Sequence, residues 1–257
     1  MKFGLTFFIF CFVALGSAFG AECSLEVKPT VIERPDALLE YWDLPNEDVL
    51  NHASPPNVEI LRRYRLEVRS VIDTDPIELL MRYRSRGKDP ADLHNLDIVL
   101  GSRSDGIRPM NCIEGLLLTA QIRRNSRFRV APTEFLAFWL RKEGRLRIYY
   151  LTGDAAGIRG AAMSALMERV SADKKAGWEV SANLHNHSFF LERLDTDDPQ
   201  GVLAPSGNDV RVFRSQVESL DLKAALITDG FDTLRIPAAD LRLYWPKEAD
   251  RSASSSP

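Results

Sequence analysis

Trp178-Glu179-Val180-Ser181-Ala182-Asn183-Leu184-His185-Asn186-His187 is the stretch on which the fold and its chemistry turn. Apolar and polar residues alternate along it, the period of a β-strand. Trp178, Val180, Ala182 and Leu184 fall on one face, and Glu179, Ser181, Asn183, His185 and His187 on the other. Side chains two apart on a strand project to the same side, so both imidazoles leave from the polar face. Two imidazoles a few ångströms apart are a natural pair of zinc ligands. The chain has only 4 histidines, and two are here. The competing reading is a pair of solvent-facing histidines on an edge strand, and the spacing alone does not separate the two.

Downstream, Ser206 begins a helix with Val210, Phe213, Val217 and Leu220 on one stripe. Ser206-Gly207-Asn208-Asp209 is a capping box, Ser206 as N-cap and Asp209 at the third helical position. A carboxylate in a first helical turn is still free to coordinate a metal. Ala224 to Thr228 and Thr233 to Ile236 read as strands around Asp229-Gly230, and Leu241 to Trp245 as a last strand. Upstream, Ala161 to Val170 is a helix. Phe135 to Leu140 and Arg145 to Leu151 form a hairpin across Arg141-Lys142-Glu143-Gly144. Glu134 stands at the head of that hairpin, where it would hold a water against a bound metal. Strands and helices alternate without a strict βαβ rhythm, which indicates an α+β (α/β-like) fold, a mixed sheet flanked by helices.

Glu134, His185-Asn186-His187 and Ser206-x-x-Asp209 together resemble the JAMM (JAB/MPN) zinc metallopeptidase family. The shared pattern is a strand-opening glutamate, a hairpin and helix, a His-x-His strand, then Ser-x-x-Asp opening a helix. It covers about Thr133 to Trp245. The resemblance implies a cytidine-deaminase-like mixed sheet and a Zn2+ site formed by His185, His187 and Asp209. It further implies Glu134 as general base and Ser206 as oxyanion helper. His-Asn-His is similar to the wording of the bacterial RadC-type branch. Three features depart from the pattern: Ser188 stands where the family has proline, the stretch from His187 to Ser206 is long and carries Asp195, Asp197 and Asp198, and Glu114 rivals Glu134. Cys112-Ile113-Glu114-Gly115-Leu116-Leu117-Leu118 echoes a Glu-Gly-rich strand of eukaryotic members. Glu134 is preferred, because one hairpin and one helix then separate it from the histidines. The letters HNH do not indicate an HNH nuclease, whose three residues are separated in sequence.

The first half is less informative. Asn57 to Ile72 reads as a helix from the spacing of Leu61, Tyr64, Val68 and Ile72, and Asp75-Pro76 caps a second, Ile77 to Tyr83. Gly87 to Asn111 reads as loop, and no chemistry is visible in this half. Residues 1–20 read as a signal peptide: Lys2, an apolar run from Leu5 to Leu15, and Ala18-Phe19-Gly20 before cleavage at Ala21. Cys11 leaves with it, so Cys23 and Cys112 form one disulfide or remain two thiols. The organisation expected is a signal peptide (1–20), an extension of unread role (21–111), a JAMM-like domain (112–246) and a disordered tail (247–257).

With 257 residues, 45% apolar and 27% charged, the chain can bury a core. A net charge of −3 favours neither nucleic acid nor an anionic membrane as partner. Once the leader is removed, no segment is expected in a membrane. The function expected is an exported (periplasmic or secreted) zinc-dependent hydrolase of peptide or isopeptide bonds acting on a peptide or protein. The alternative is a catalytically inactive JAMM-like binding or assembly module. Substrate identity and oligomeric state are not written in the sequence.

Overall fold

A computed structural model of the chain describes residues 23, 28–33, 38–51, 54–101, 106–128, 130–153, 160–191 and 201–245. The expected leader, the acidic insert and the tail lie outside the described residues. Fourteen main elements follow in chain order: β1 (Thr30–Glu33), β2 (Leu38–Leu44), α1 (Glu59–Arg69), α2 (Pro76–Arg86), α3 (Pro90–Gly101), β3 (Ile107–Pro109), α4 (Cys112–Arg124), β4 (Phe135–Lys142), β5 (Arg145–Thr152), α5 (Gly160–Lys175), β6 (Glu179–Asn186), α6 (Gly207–Leu220), β7 (Ala224–Thr228) and β8 (Asp232–Pro237). The strands form one eight-stranded sheet in the order β1-β2-β5-β4-β6-β7-β8-β3. Only β6 and β7 pair in parallel; the other pairs are antiparallel. The fold is α+β, as the alternation of elements implies.

Helices cover both faces of the sheet. Phe135, Ala137 and Trp139 of β4 pack with Tyr64 and Val68 of α1 and Leu117 and Leu118 of α4. Leu136, Phe138 and Leu140 pack on the opposite face with Leu166 and Val170 of α5 and Leu220 of α6. Farther along, Ala225, Ile227, Leu234 and Ile236 of β7 and β8 pack with Val210 and Phe213 of α6 and with α2 and α3. The β4–β5 hairpin turns on Glu143 and Gly144, both at positive φ (50° and 76°), the backbone a two-residue turn requires. Asp75 caps α2 through Ile77 N and Glu78 N, as its position before Pro76 predicts. Cys23 and Cys112 are joined by a disulfide. Strands β1 and β2, from the segment before Cys112, belong to the same sheet as the histidine strand. No helix among the described residues is long and apolar enough to cross a membrane.

Three expectations are corrected. The stretch 87–111 is not loop: it holds α3 and β3. Asp89 accepts from Ala91 N and Asp92 N, so Asp89-Pro90 starts α3 by the device that Asp75-Pro76 uses for α2. Leu241 to Trp245 is not a strand, and a 3-10 turn spans Ala238–Arg242. The outer edge of β8 is already paired with β3, and Arg214 of α6 donates to the carbonyls of Leu241 and Tyr244, drawing this segment off the sheet. Nor do the apolar residues of β6 share one face. A bulge places Val180 opposite Leu140 and Ala182 opposite Trp139, leaving Ser181 as the extra residue, its hydroxyl bonded to Trp139 O. Trp178 and Val180 therefore pack on the α5 side, while Ala182 and Leu184 pack on the α1–α4 side.

Candidate metal centre

Strand β6 lies inside the sheet between β4 and β7, and His185 pairs with Leu136 on one side and Ile227 on the other. The edge-strand reading is thereby excluded. The face carrying His185 is not open to solvent either, because α6 covers it: Asn183 and His185 are buried, and Phe213 packs its ring 5.5 Å from that of His185. His187 follows the strand, and its backbone N donates to Thr228 O. Its Nδ1 lies 2.8 Å from Val202 O. A carbonyl only accepts, so Nδ1 carries the proton, and in the neutral ring Nε2 keeps its lone pair.

Helix α6 brings in the third group. Both halves of its capping box are formed: Ser206 N and Ser206 Oγ donate to Asp209 Oδ2 (2.8 Å each), and Asp209 N donates to Ser206 Oγ. The carboxylate is thus held at the helix start facing the histidines. His185 Nε2 and His187 Nε2 are 2.9 Å apart, and Asp209 oxygens lie 3.7 Å and 3.5 Å from them. Bonds of 2.0–2.1 Å in a tetrahedron set donors roughly 3.3 Å apart. Two imidazoles and one carboxylate, with one ligand atom from each all within 4.8 Å of one another, form a group that could hold a metal ion.

The charges of the group are interlocked. Burial pushes the His185 imidazole down, to about 4, against the pull of Asp209 and with help from His187. Burial also disfavours a charge on His187, but its bond to Asp209 and the charges of Asp209 and Glu134 prevail and raise it to about 9. Asp209 is buried as well, yet the two histidines and the Ser206 backbone hold its carboxyl well below the usual range. His187 and Asp209 thus each favour the other's charged form.

Glu134 sits one residue before β4, half-buried. Leu136 pairs with His185, and continuing that antiparallel register by two positions sets Glu134 level with His187. The effect of its charge on His187 agrees with this placement. The backbone on either side of Glu134 is held by Asn186, the residue between the two histidines: Asn186 Oδ1 accepts from Phe135 N (2.7 Å) and Nδ2 donates to Thr133 O (3.1 Å). Asn186 Nδ2 also donates to Ser188 Oγ (2.7 Å), the residue that stands in place of the expected proline. Nothing local in the sequence pointed to this role of Asn186, since Phe135 and Thr133, the partners that place Glu134, are 51 and 53 residues away.

Glu114 does not belong to the group. It is in α4, not in a strand, where it completes a capping box with Asn111. Its fully buried carboxylate accepts from Arg108, Asn111 N and Thr233 Oγ1. Those bonds give the glutamate a structural task. Ser206 is next to the donors, but Asp209 Oδ2 takes its one hydroxyl proton. No protein-family model, curated protein or solved structure matches the chain.

Proposed function

We propose that this protein is a zinc-dependent hydrolase of amide bonds, peptide or isopeptide, that works outside the cytoplasm. The observation that carries the reading is the convergence of His185, His187 and Asp209, whose ligand atoms lie within 4.8 Å of one another. A bound Zn2+ would supply a Lewis acid and an acidified water, with pKa near ~7. The remaining work falls to the chain. Val202 O fixes the His187 tautomer, Ser206 aims Asp209, and Phe213 packs against the His185 ring. Glu134, its backbone gripped by Asn186, is placed to take a proton from water and give it to the leaving amine. For Ser206 to donate to a developing oxyanion, its proton must turn away from Asp209. The Cys23–Cys112 bridge supports an oxidising compartment and hence export.

One observation favours the alternative, a binding module without catalysis: the Ser206 hydroxyl proton is already taken by Asp209 Oδ2. Metal content divides the two. Protein purified without added metal is expected to hold one zinc per chain by elemental analysis, and His187→Ala and Asp209→Ala to lose it. Glu134→Gln is expected to keep zinc and lose cleavage of a mixed peptide library read by mass spectrometry. A wild-type chain that takes up no zinc at micromolar concentration overturns the enzyme reading in favour of the module.

A further inference from the structure

Resting on the zinc reading above, we propose that Asp92 and Asn95, on α3, are positioning residues of the metal centre. They hold the turn from which Asp209 meets the histidines. The first half of the chain, in which no chemistry was legible, thereby reaches the site. Asn95 Nδ2 donates to Pro205 O (2.9 Å), and Gly207 N donates to Asp92 Oδ1 (3.0 Å). These two bonds grip the backbone on both sides of Ser206, and Ser206 in turn makes two bonds to Asp209 Oδ2. A continuous path of short polar contacts thus runs from α3 through the turn to Asp209 and on to His187 Nε2, 3.5 Å away.

The clamp is set firmly. Asp92 and Asn95 are three apart on a helix, so both project from one side. Asn95 is fully buried, and its other amide atom, Oδ1, accepts from Trp245 N, which fixes the orientation of the side chain. The approach of α3 is as close as the backbone permits: a Cβ on Gly207 would stand 3.0 Å from Ala91 Cβ. Asp92 is also near enough for the charges of Asp209 and His187 to act on it. What docks α3 is a separate matter, the packing of Leu96 and Val99 among Val202, Leu203, Val210 and Phe213. Packing holds the helix down, and the two polar residues aim the turn. Partners that orient metal ligands from behind typically contribute ten- to a hundredfold in metal affinity.

The test is a Zn2+ titration of the full, metal-stripped chain against a chelating competitor, with thermal melting of the same samples. Asp92→Ala is expected to weaken zinc binding at least tenfold, whereas Asp92→Asn, which keeps an oxygen acceptor for Gly207 N, stays within about threefold of wild type. Leu96→Ala removes packing from the same helix and is expected to lower the melting temperature while leaving affinity unchanged. Wild-type affinity in Asp92→Ala overturns the proposal. So does an affinity loss in Leu96→Ala equal to that in Asp92→Ala, because the effect would then be loss of structure in general. If the wild-type chain itself binds no zinc, the zinc reading fails first and takes this one with it; if only Asp92→Ala matches wild type, the clamp alone is wrong.

Discussion

Glu114 and Glu134 are the same residue type in opposite circumstances. Glu114 is wholly enclosed and its oxygens are used by Arg108, Asn111 and Thr233. Glu114→Ala leaves Arg108 and two neutral donors without their acceptor, so it is expected to cost on the order of 3–5 kcal/mol by urea denaturation while zinc stays bound. Glu134→Gln is expected to unfold at the wild-type urea concentration. Asp229 offers a pH test. It is buried in the turn between β7 and β8, where Phe231 N and Asp232 N bond to Oδ1 and Oδ2 has no hydrogen-bond partner among the described residues. Burial raises its carboxyl to about 7, Asp232 adds to the rise, and Arg65 and the two backbone bonds oppose it. The folded value thus lies above the ~3.9 of an unfolded aspartate. A raised carboxyl contributes stability that is complete below ~4 and is lost as pH rises through 7. Asp229→Asn keeps the Oδ1 acceptor and removes the charge, so melting temperatures at pH 5 and pH 8 should converge relative to wild type. The convergence of His185, His187 and Asp209 was readable in the sequence because spacing encodes it: two residues on a strand, three on a cap. Asn186, Val202 and Asp92 were not, because each acts on a partner far along the chain.

At the scale of elements, the signals that succeeded were local ones: the Asp-Pro start of α2, the capping box of α6, the Glu143-Gly144 turn. Helix α3 carries the same Asp-Pro start at Asp89-Pro90. It was passed over because apolar residues fall on more than one side of it: Leu93, Leu96, Val99 and Leu100 share one arc, while Ala91 and Ile98 lie opposite. The bulge in β6 was hidden for a different reason. Strict alternation in sequence describes an unbroken strand, and nothing within Trp178 to His187 records that β4 accommodates an extra residue opposite Trp139 and Leu140. The bulge makes a sharp prediction. Deleting Ser181 makes Val180 and Ala182 consecutive, so their pairs with Leu140 and Trp139, and the faces on both sides of the bulge, are kept. The deletion and Ser181→Ala, which gives up only the bond to Trp139 O, are both expected to keep His185 opposite Leu136 and to retain metal uptake, whereas a loss of uptake in the deletion alone would show that the bulge itself aims the histidines. Elemental analysis of both variants decides it.

Across the whole molecule, the Cys23–Cys112 bridge closes a separation of 89 residues and ties Cys23 to the first residue of α4. Serine at both positions is expected to lower stability by roughly 3–5 kcal/mol in the chain-entropy account, measured by denaturant titration. The proposed export is checked by N-terminal sequencing of protein from its native host: Ala21 as first residue supports it, and an intact Met1 overturns it. The sheet also contains one parallel contact, and that contact imposes an order in time. Strands β4 and β5 meet across a two-residue turn, an event on the scale of about 1–10 μs. Strands β6 and β7 must instead wait for residues 187–223 to close around them. The carbonyl that orients His187, the hydroxyl that aims Asp209 and Asp209 itself all ride on that connection. The centre is therefore expected to form after the hairpin and outside the rate-limiting state of folding. Metal should therefore act as a latch and not as a nucleus: in stopped-flow measurements, zinc slows unfolding and leaves the refolding rate where chelator leaves it.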